Sequence, residues 1–146
     1  MLIGQYKAVI NLKRRVAIPS KFRKELGENP IISRWYEGCL VIVSRESWKA
    51  LLERLTGARS KVTEPVRDTD RFILGSAYEL EPDWQGRVVI PKSLAEYANL
   101  KDETTFLGLG DRVEVWNRAS WDTREKLIAK KAGELIEKIS KDEKGR

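Results

Sequence analysis

Hydrophobic and polar positions alternate along this chain in short blocks, and the blocks run in the same order twice. Gln5–Ile10 has the composition of a strand and leads into a polar turn, Asn11–Arg14. The β-branched run Arg15–Ile18 follows and ends at Pro19, which opens a short helix over Ser20–Leu26, stopped by Gly27. Ile31–Trp35 and Leu40–Val43 flank a turn holding Gly38, which predicts a hairpin, and Ser44 is a good N-cap for the helix after it. The second round predicts a strand at Ala77–Leu80, a turn at Asp83–Gly86, a strand at Arg87–Ile90 and a helix at Lys92–Ala98 behind Pro91. Thr105–Leu109 and Val113–Trp116 then flank Gly110-Asp111, a dipeptide suited to tight turns, and Asn117 caps a further helix.

Between the rounds, Thr56–Val66 is polar, contains Gly57 and Pro65, and reads as a linker loop. In Asp68–Gly75 either Asp68 or Asp70 suits the cap of a short helix ending at Gly75. Beyond Trp121 the pattern becomes that of a long amphipathic helix, with Leu127, Ile128, Ala132, Leu135, Ile136 and Ile139 on one broad face. The last residues, Ser140–Arg146, are expected to fray. The implied organisation is a first repeat at 1–55, a linker and short helix at 56–75, a second repeat at 76–121, and a C-terminal helix with a frayed tail at 122–146.

The two rounds share residues as well as pattern. At an offset of 72, Tyr6 meets Tyr78, Arg15 meets Arg87, Val16 meets Val88, Ile18 meets Ile90 and Pro19 meets Pro91, while Asn11 meets Asp83. Val43–Trp48 then matches Trp116–Trp121 at an offset of 73, with arginine, serine and tryptophan in register. Two copies are too few for a solenoid, so duplicated halves packed about a pseudo-twofold axis are expected. The fold class is α+β, a small closed or interleaved sheet flanked by helices.

Composition narrows the chemistry. Histidine is absent and Cys39 is the single cysteine, which excludes His-based triads, His-ligated metals, intrachain disulfides and thiolate clusters. A lone thiol fits a reducing cytoplasm. No apolar run approaches the roughly 18 residues of a membrane span. The net charge is +6 with a pI near 9.5, and its placement matters more than its size. Gln5–Lys24 holds Lys7, Lys13, Arg14, Arg15, Lys21, Arg23 and Lys24 with no acid. Its counterpart Ala77–Glu96 sets Glu79, Glu81, Asp83 and Glu96 against Arg87 and Lys92.

The first turn is expected to set Lys13, Arg14 and Arg15 at the tip of a two-stranded ribbon, a shape that fits the DNA major groove. Arginine there reads guanine in a bidentate manner, and lysine neutralises phosphate. In the second turn Asp83 lies four residues before Arg87, close enough to hold its rotamer, and Gly86 supplies a positive φ. The predicted DNA-binding site is therefore Arg15 and Arg87 as principal contacts, Lys13, Arg14 and Lys21 as phosphate attraction, and Asn11, Asp83 and Gln85 as the remaining turn residues.

The start Met1–Tyr6, the turn motifs followed by an apolar strand and proline, Gly38–Val43 and Val113–Trp121 together resemble the MraZ family of bacterial transcriptional regulators, related to AbrB-like DNA-binding proteins. The resemblance covers Met1 to Trp121 and leaves the tail without a role. It implies duplicated AbrB-like halves forming an intramolecular double-split, swapped-hairpin β-barrel, flanked by short helices and followed by a longer one. It assigns the family's turn arginine to Arg15 and Arg87, its turn acid to Asp83 and its turn glycine to Gly86, whereas the first turn has Asn11 and Arg14 instead. The implied function is sequence-specific, non-enzymatic DNA binding at short direct repeats upstream of the division and cell-wall gene cluster. A ring-like homo-oligomer, cytoplasmic and nucleoid-associated, with no cofactor, metal, membrane or small-molecule partner, goes with it.

Three other readings stand beside this one: an RNA-binding or translation-associated module, a metal-dependent phosphodiester hydrolase using Asp68 and Asp70, and a structural ring. Among the five tryptophans, Trp48, Trp116 and Trp121 are expected to pack, Trp84 to be exposed in the second turn, and Trp35 with Tyr36 to fill a subunit interface.

Overall fold

β1 (Leu2–Val9) does not fold back on the strand that follows it. It pairs antiparallel with β7 (Glu103–Gly110) from the other half of the chain, while β2 (Arg15–Ala17) pairs with β6 (Arg87–Val89). The two-stranded ribbon expected from consecutive strands is thus built from one strand of each half. Local periodicity identifies a strand but carries no information on its partner, and here that partner lies 72 residues away. The computed structural model describes residues 1–57 and 63–144.

The larger sheet has six strands in the order β1-β7-β8-β4-β3-β5, where β3 is Ile31–Arg34, β4 is Leu40–Val43, β5 is Tyr78–Glu79 and β8 is Val113–Asn117. Its topology obeys the duplication. The β1–β7 ladder has its counterpart in β5–β3, and β4–β8 joins equivalent strands of the two halves. In the register, Val41 faces Glu114 and Val16 faces Val88, both pairs of equivalent positions, so the pseudo-twofold axis passes through both ladders. The halves therefore form an interleaved α+β unit in which a six-stranded and a two-stranded sheet enclose one core.

That core takes Val16 and Ile18 from the first half, Val88 and Ile90 from the second, and Ile32, Leu40, Ile42, Phe106, Val113 and Val115 from the large sheet. Alternate residues of the central strands face the other way. Val41, Val43 and Trp116 join Trp35, Cys39, Leu51, Ile73 and Trp121 in a second cluster beneath the helices. With both faces covered, β4 reads as an unbroken apolar run. Trp35 belongs to this second core and not to a subunit interface, while Tyr36 is exposed.

The helices follow their caps. α1 (Ser20–Leu26) begins after Pro19 and ends at Gly27, whose N–H donates to the Arg23 carbonyl. α2 (Arg45–Thr56) is capped by Ser44, whose hydroxyl oxygen accepts from the Ser47 N–H at 3.2 Å. α3 (Glu64–Ile73) corrects two expectations. Its N-cap position is Thr63, with Pro65 in the first turn, so Asp68 and Asp70 sit within the helix and cap nothing. The helix also occupies the end of the expected linker Thr56–Val66, of which residues 58–62 lie outside the described residues. α4 (Lys92–Tyr97) repeats α1. α5 (Arg118–Lys144) starts from Asn117, whose Oδ1 accepts from the Ser120 N–H at 3.0 Å. It stays helical through Ser140–Lys144, where fraying was expected, and residues 145–146 lie outside the described residues.

Candidate nucleic-acid interface

Each strand of the β2–β6 ribbon follows a tight turn, and the two turns match bond for bond. In the first, Asn11 Oδ1 accepts from the N–H groups of Lys13 and Arg15 at 3.0 and 2.9 Å, and the Asn11 N–H donates to the Arg15 carbonyl. In the second, Asp83 Oδ1 accepts from the N–H groups of Gln85 and Arg87, both at 2.9 Å, and the Asp83 N–H donates to the Arg87 carbonyl. An amide oxygen and a carboxylate oxygen do the same work for the backbone, so the change from acid to Asn11 leaves the turn intact.

The turn's fourth residue has φ of 76° at Gly86 and 60° at Arg14. Left-handed backbone is unfavourable for a side-chain-bearing residue by about 1–2 kcal/mol. Arg14 offsets part of this by donating from Nε to the Ile90 carbonyl at 3.0 Å, while its own carbonyl accepts from the Ile90 N–H at 2.8 Å. The symmetric place keeps this carbonyl cap but changes its source. The Ile18 N–H donates to the Gly86 carbonyl, and the Ile18 carbonyl accepts from Arg23 Nε of α1 at 2.7 Å. Arg23 lies over Gly86, where an added Cβ would come within 2.2 Å of its Nε. Ala95 stands at the position in α4 that corresponds to Arg23. One guanidinium therefore caps each ribbon end, supplied by the turn in one half and by the helix in the other. Sequence reasoning missed this exchange, although the aligned pairs Arg14/Gly86 and Arg23/Ala95 carry its trace.

Strand register fixes where the arginines point. Arg15 faces Val89 and Ala17 faces Arg87, so these four share one side of the ribbon, while Val16 and Val88 share the buried side. A diagonal pair of this kind has Cα atoms about 7–8 Å apart. Arg15 and Arg87 thus converge on one outward side of the ribbon, which on the strands themselves they share only with Ala17 and Val89.

Their electrostatics differ. Arg87 Nε donates to Asp83 Oδ2 at 2.9 Å, an exposed pair that adds little to stability but biases one rotamer. The Asp83 carboxyl is held below its usual range, first by the Arg87 backbone N–H and then by the Arg87 side chain. Asn11 offers no charge, and the Arg15 side chain forms no ion pair among the described residues. Lys13, Lys21 and Gln85 are exposed, and Lys21 lies on α1 beside a groove that also takes in Lys7 and Ala17. The structure thus gathers Lys13, Arg14, Arg15, Lys21 and Arg87 around one ribbon, with Asn11 and Asp83 inside the turns.

Elsewhere little competes. Asp68 pairs with Arg71 at 2.8 Å on α3, and no group of three His, Cys, Asp or Glu side chains arranged to hold a metal occurs among the described residues. Burial pushes the Cys39 thiol well above its ordinary range. No described helix is long and apolar enough to cross a membrane.

An interleaved duplicate with paired turns and a cationic ribbon defines an α+β protein built from two equivalent halves. A family model for MraZ protein, described as antitoxin-like, matches residues 1–72 and again 73–146, and the chain belongs to the MraZ family. Over 142 residues it is 39% identical to the transcriptional regulator MraZ of Caldicellulosiruptor saccharolyticus, covering 95% of this chain and 99% of that protein. It is 37% identical over 139 residues to that of Caldanaerobacter subterraneus subsp. tengcongensis, with 95% and 96% covered. It is 38% identical over 121 residues to that of Clostridium acetobutylicum, with 83% and 84% covered. These relatives are named as regulators and not as enzymes. The family match runs past Trp121 to the end of the chain, so the tail lies inside the family and not beyond it.

Proposed function

We propose that this chain is a sequence-specific DNA-binding transcriptional regulator that reads duplex DNA with the outward face of the β2–β6 ribbon. The observation that carries it is the register, which sets half-buried Arg15 and exposed Arg87 on the same side of the ribbon, away from the buried Val16 and Val88, with no acid in the first half's window. At about 7–8 Å apart they span roughly two base-pair steps of about 3.4 Å. Arg15 and Arg87 are the principal base contacts, Arg87 being pre-ordered by Asp83, and Lys13, Arg14 and Lys21 supply the attraction to phosphate. As the family resemblance implies, the operators are short direct repeats upstream of the division and cell-wall gene cluster, the protein's own gene included. The protein then works in the cytoplasm, on the nucleoid.

Self-association into a ring belongs to the same reading. β1 is an edge strand of the large sheet with Ile3 and Val9 exposed, and α5 carries an exposed apolar face. Such surfaces favour burial against another copy. The test is binding to duplexes recovered from a random-sequence pool by the full chain. Arg15→Ala is expected to lose most specific binding while its circular dichroism spectrum stays unchanged, and wild-type affinity in that variant overturns the site. Affinity is expected to fall with salt at a log–log slope of about −0.9 per phosphate neutralised. Stronger competition by single-stranded RNA than by duplex DNA shifts the assignment to RNA.

A further inference from the structure

The second residue of each turn is a large apolar side chain with nothing packed on it. Leu12 is 99% exposed and Trp84 is 88% exposed, and the two are equivalent at the offset of 72. Leaving large apolar surface in water is unfavourable, and a single such residue at a surface is ordinary. Here the same device stands at both ends of one ribbon, in each case beside an arginine of the outward face. The turns do not need it, because their geometry comes from Asn11 or Asp83 Oδ1 and from the positive φ of Arg14 or Gly86.

What covers these tips is argued from their surroundings. Leu12 is followed directly by Lys13, Arg14 and Arg15, and Trp84 is followed by Gln85 and then Arg87. Leu12 is embedded in cations, and Trp84, although it follows Asp83, stands at the other end of the same ribbon whose outward face carries Arg15 and Arg87, so the partner of the ribbon is anionic around and apolar at a point. Duplex DNA has this character in the major groove, where phosphates flank the projecting C5-methyl of thymine. A second protein copy would have to bring an acidic rim to each turn.

We infer that Leu12 and Trp84 are specificity-determining contacts, which cover thymine methyl groups in the major groove on either side of the bases met by Arg15 and Arg87. This rests on the DNA-binding reading and refines it: the arginines meet the central bases, the lysines add attraction to phosphate, and the apolar tips choose among sequences at the flanks. A methyl contact adds discrimination without neutralising phosphate, so it leaves the salt slope alone.

Trp84 also reports on itself. Trp35, Trp116 and Trp121 are buried and Trp48 is half-buried, so the fluorescence most open to acrylamide, a neutral quencher, belongs to Trp84, with Trp84→Phe as the control. Duplexes recovered by the full chain from a random pool are expected to shield Trp84 from acrylamide. Leu12→Ser and Trp84→Ser are each expected to weaken binding to those duplexes on the order of tenfold, with random duplex and the salt slope unaffected. Replacing thymine by uracil in the same duplexes should weaken the wild type similarly and the two variants hardly further. The inference is overturned if DNA binds while Trp84 stays fully open to acrylamide, or if both variants lose selected and random duplex equally. It also falls if Trp84 becomes shielded by raising protein concentration without DNA, which makes a second copy the occupant. Failure of the wild type to bind any duplex removes the DNA-binding reading itself, and this inference with it.

Discussion

At the residue scale, Asp83 is where the two turns part. Its carboxylate accepts the same two backbone N–H groups as Asn11 does, then adds the Arg87 side chain. Asp83→Asn should therefore make the second turn resemble the first, with the fold kept and Arg87 released. The expected result is a urea midpoint little changed, steeper salt dependence and poorer discrimination between selected and random duplex, since a freed arginine meets phosphate as readily as a base edge. The pH dependence has a definite sign. A carboxyl with a depressed pKa contributes stability above its unfolded pKa and loses it as pH falls through the folded value. The Asp83 contribution is thus present at neutral pH and is lost below the usual carboxylate range, so any stability advantage of wild type over Asp83→Asn should shrink there and the two acid titrations should converge. Cys39 supplies a second check. Its burial suppresses the thiolate, so it should react with a disulfide reagent only as the chain unfolds, and an absorbance burst in the native protein would contradict the buried placement.

At the element scale, the ribbon ends show how a departure from the family pattern is accommodated. Gly86→Arg should be strongly destabilising on its own, by about 1–3 kcal/mol, because φ is 76° and Arg23 already fills the space. Adding Arg23→Ala recreates the first half's arrangement, with an arginine in the turn and alanine on the helix. The double variant should recover most of the loss in a denaturant titration; additive losses would show that the carbonyl cap is not interchangeable. The same elements show what a sequence discloses. α1 was legible over Ser20–Leu26 because Pro19 and Gly27 punctuate it locally, and the duplication was legible because whole strings recur. The cap of α3 was misread because Asp68 and Asp70 are good cap residues wherever they stand, and only the backbone shows that the helix had begun at Glu64. The partner of β2 and the Arg23 contact on Gly86 depend on pairing across the halves, which no local window records.

At the scale of the whole molecule, the outer surface of α5 is the remaining large apolar feature. Leu127, Ile128, Leu135, Ile136 and Ile139 are all exposed in the single chain, although the start of the helix is anchored to β1, where Trp121 Nε1 donates to Gln5 Oε1 and Gln5 Nε2 donates to Glu125. Ile136 and Ile139 touch no core cluster, so Ile136→Glu with Ile139→Glu should leave the stability of an isolated chain within about 0.5 kcal/mol per site. If the face is covered by another copy, the charged variant should instead lose mass in light scattering. Its DNA behaviour then discriminates further. One ribbon contacts few bases, so tight binding to repeated operators depends on linked copies raising effective concentration. The charged variant should bind a duplex with one repeat like the wild type and lose its advantage on a duplex with several. Equal loss on both would place the defect in the ribbon, and an unchanged mass together with unchanged binding would remove α5 from the assembly.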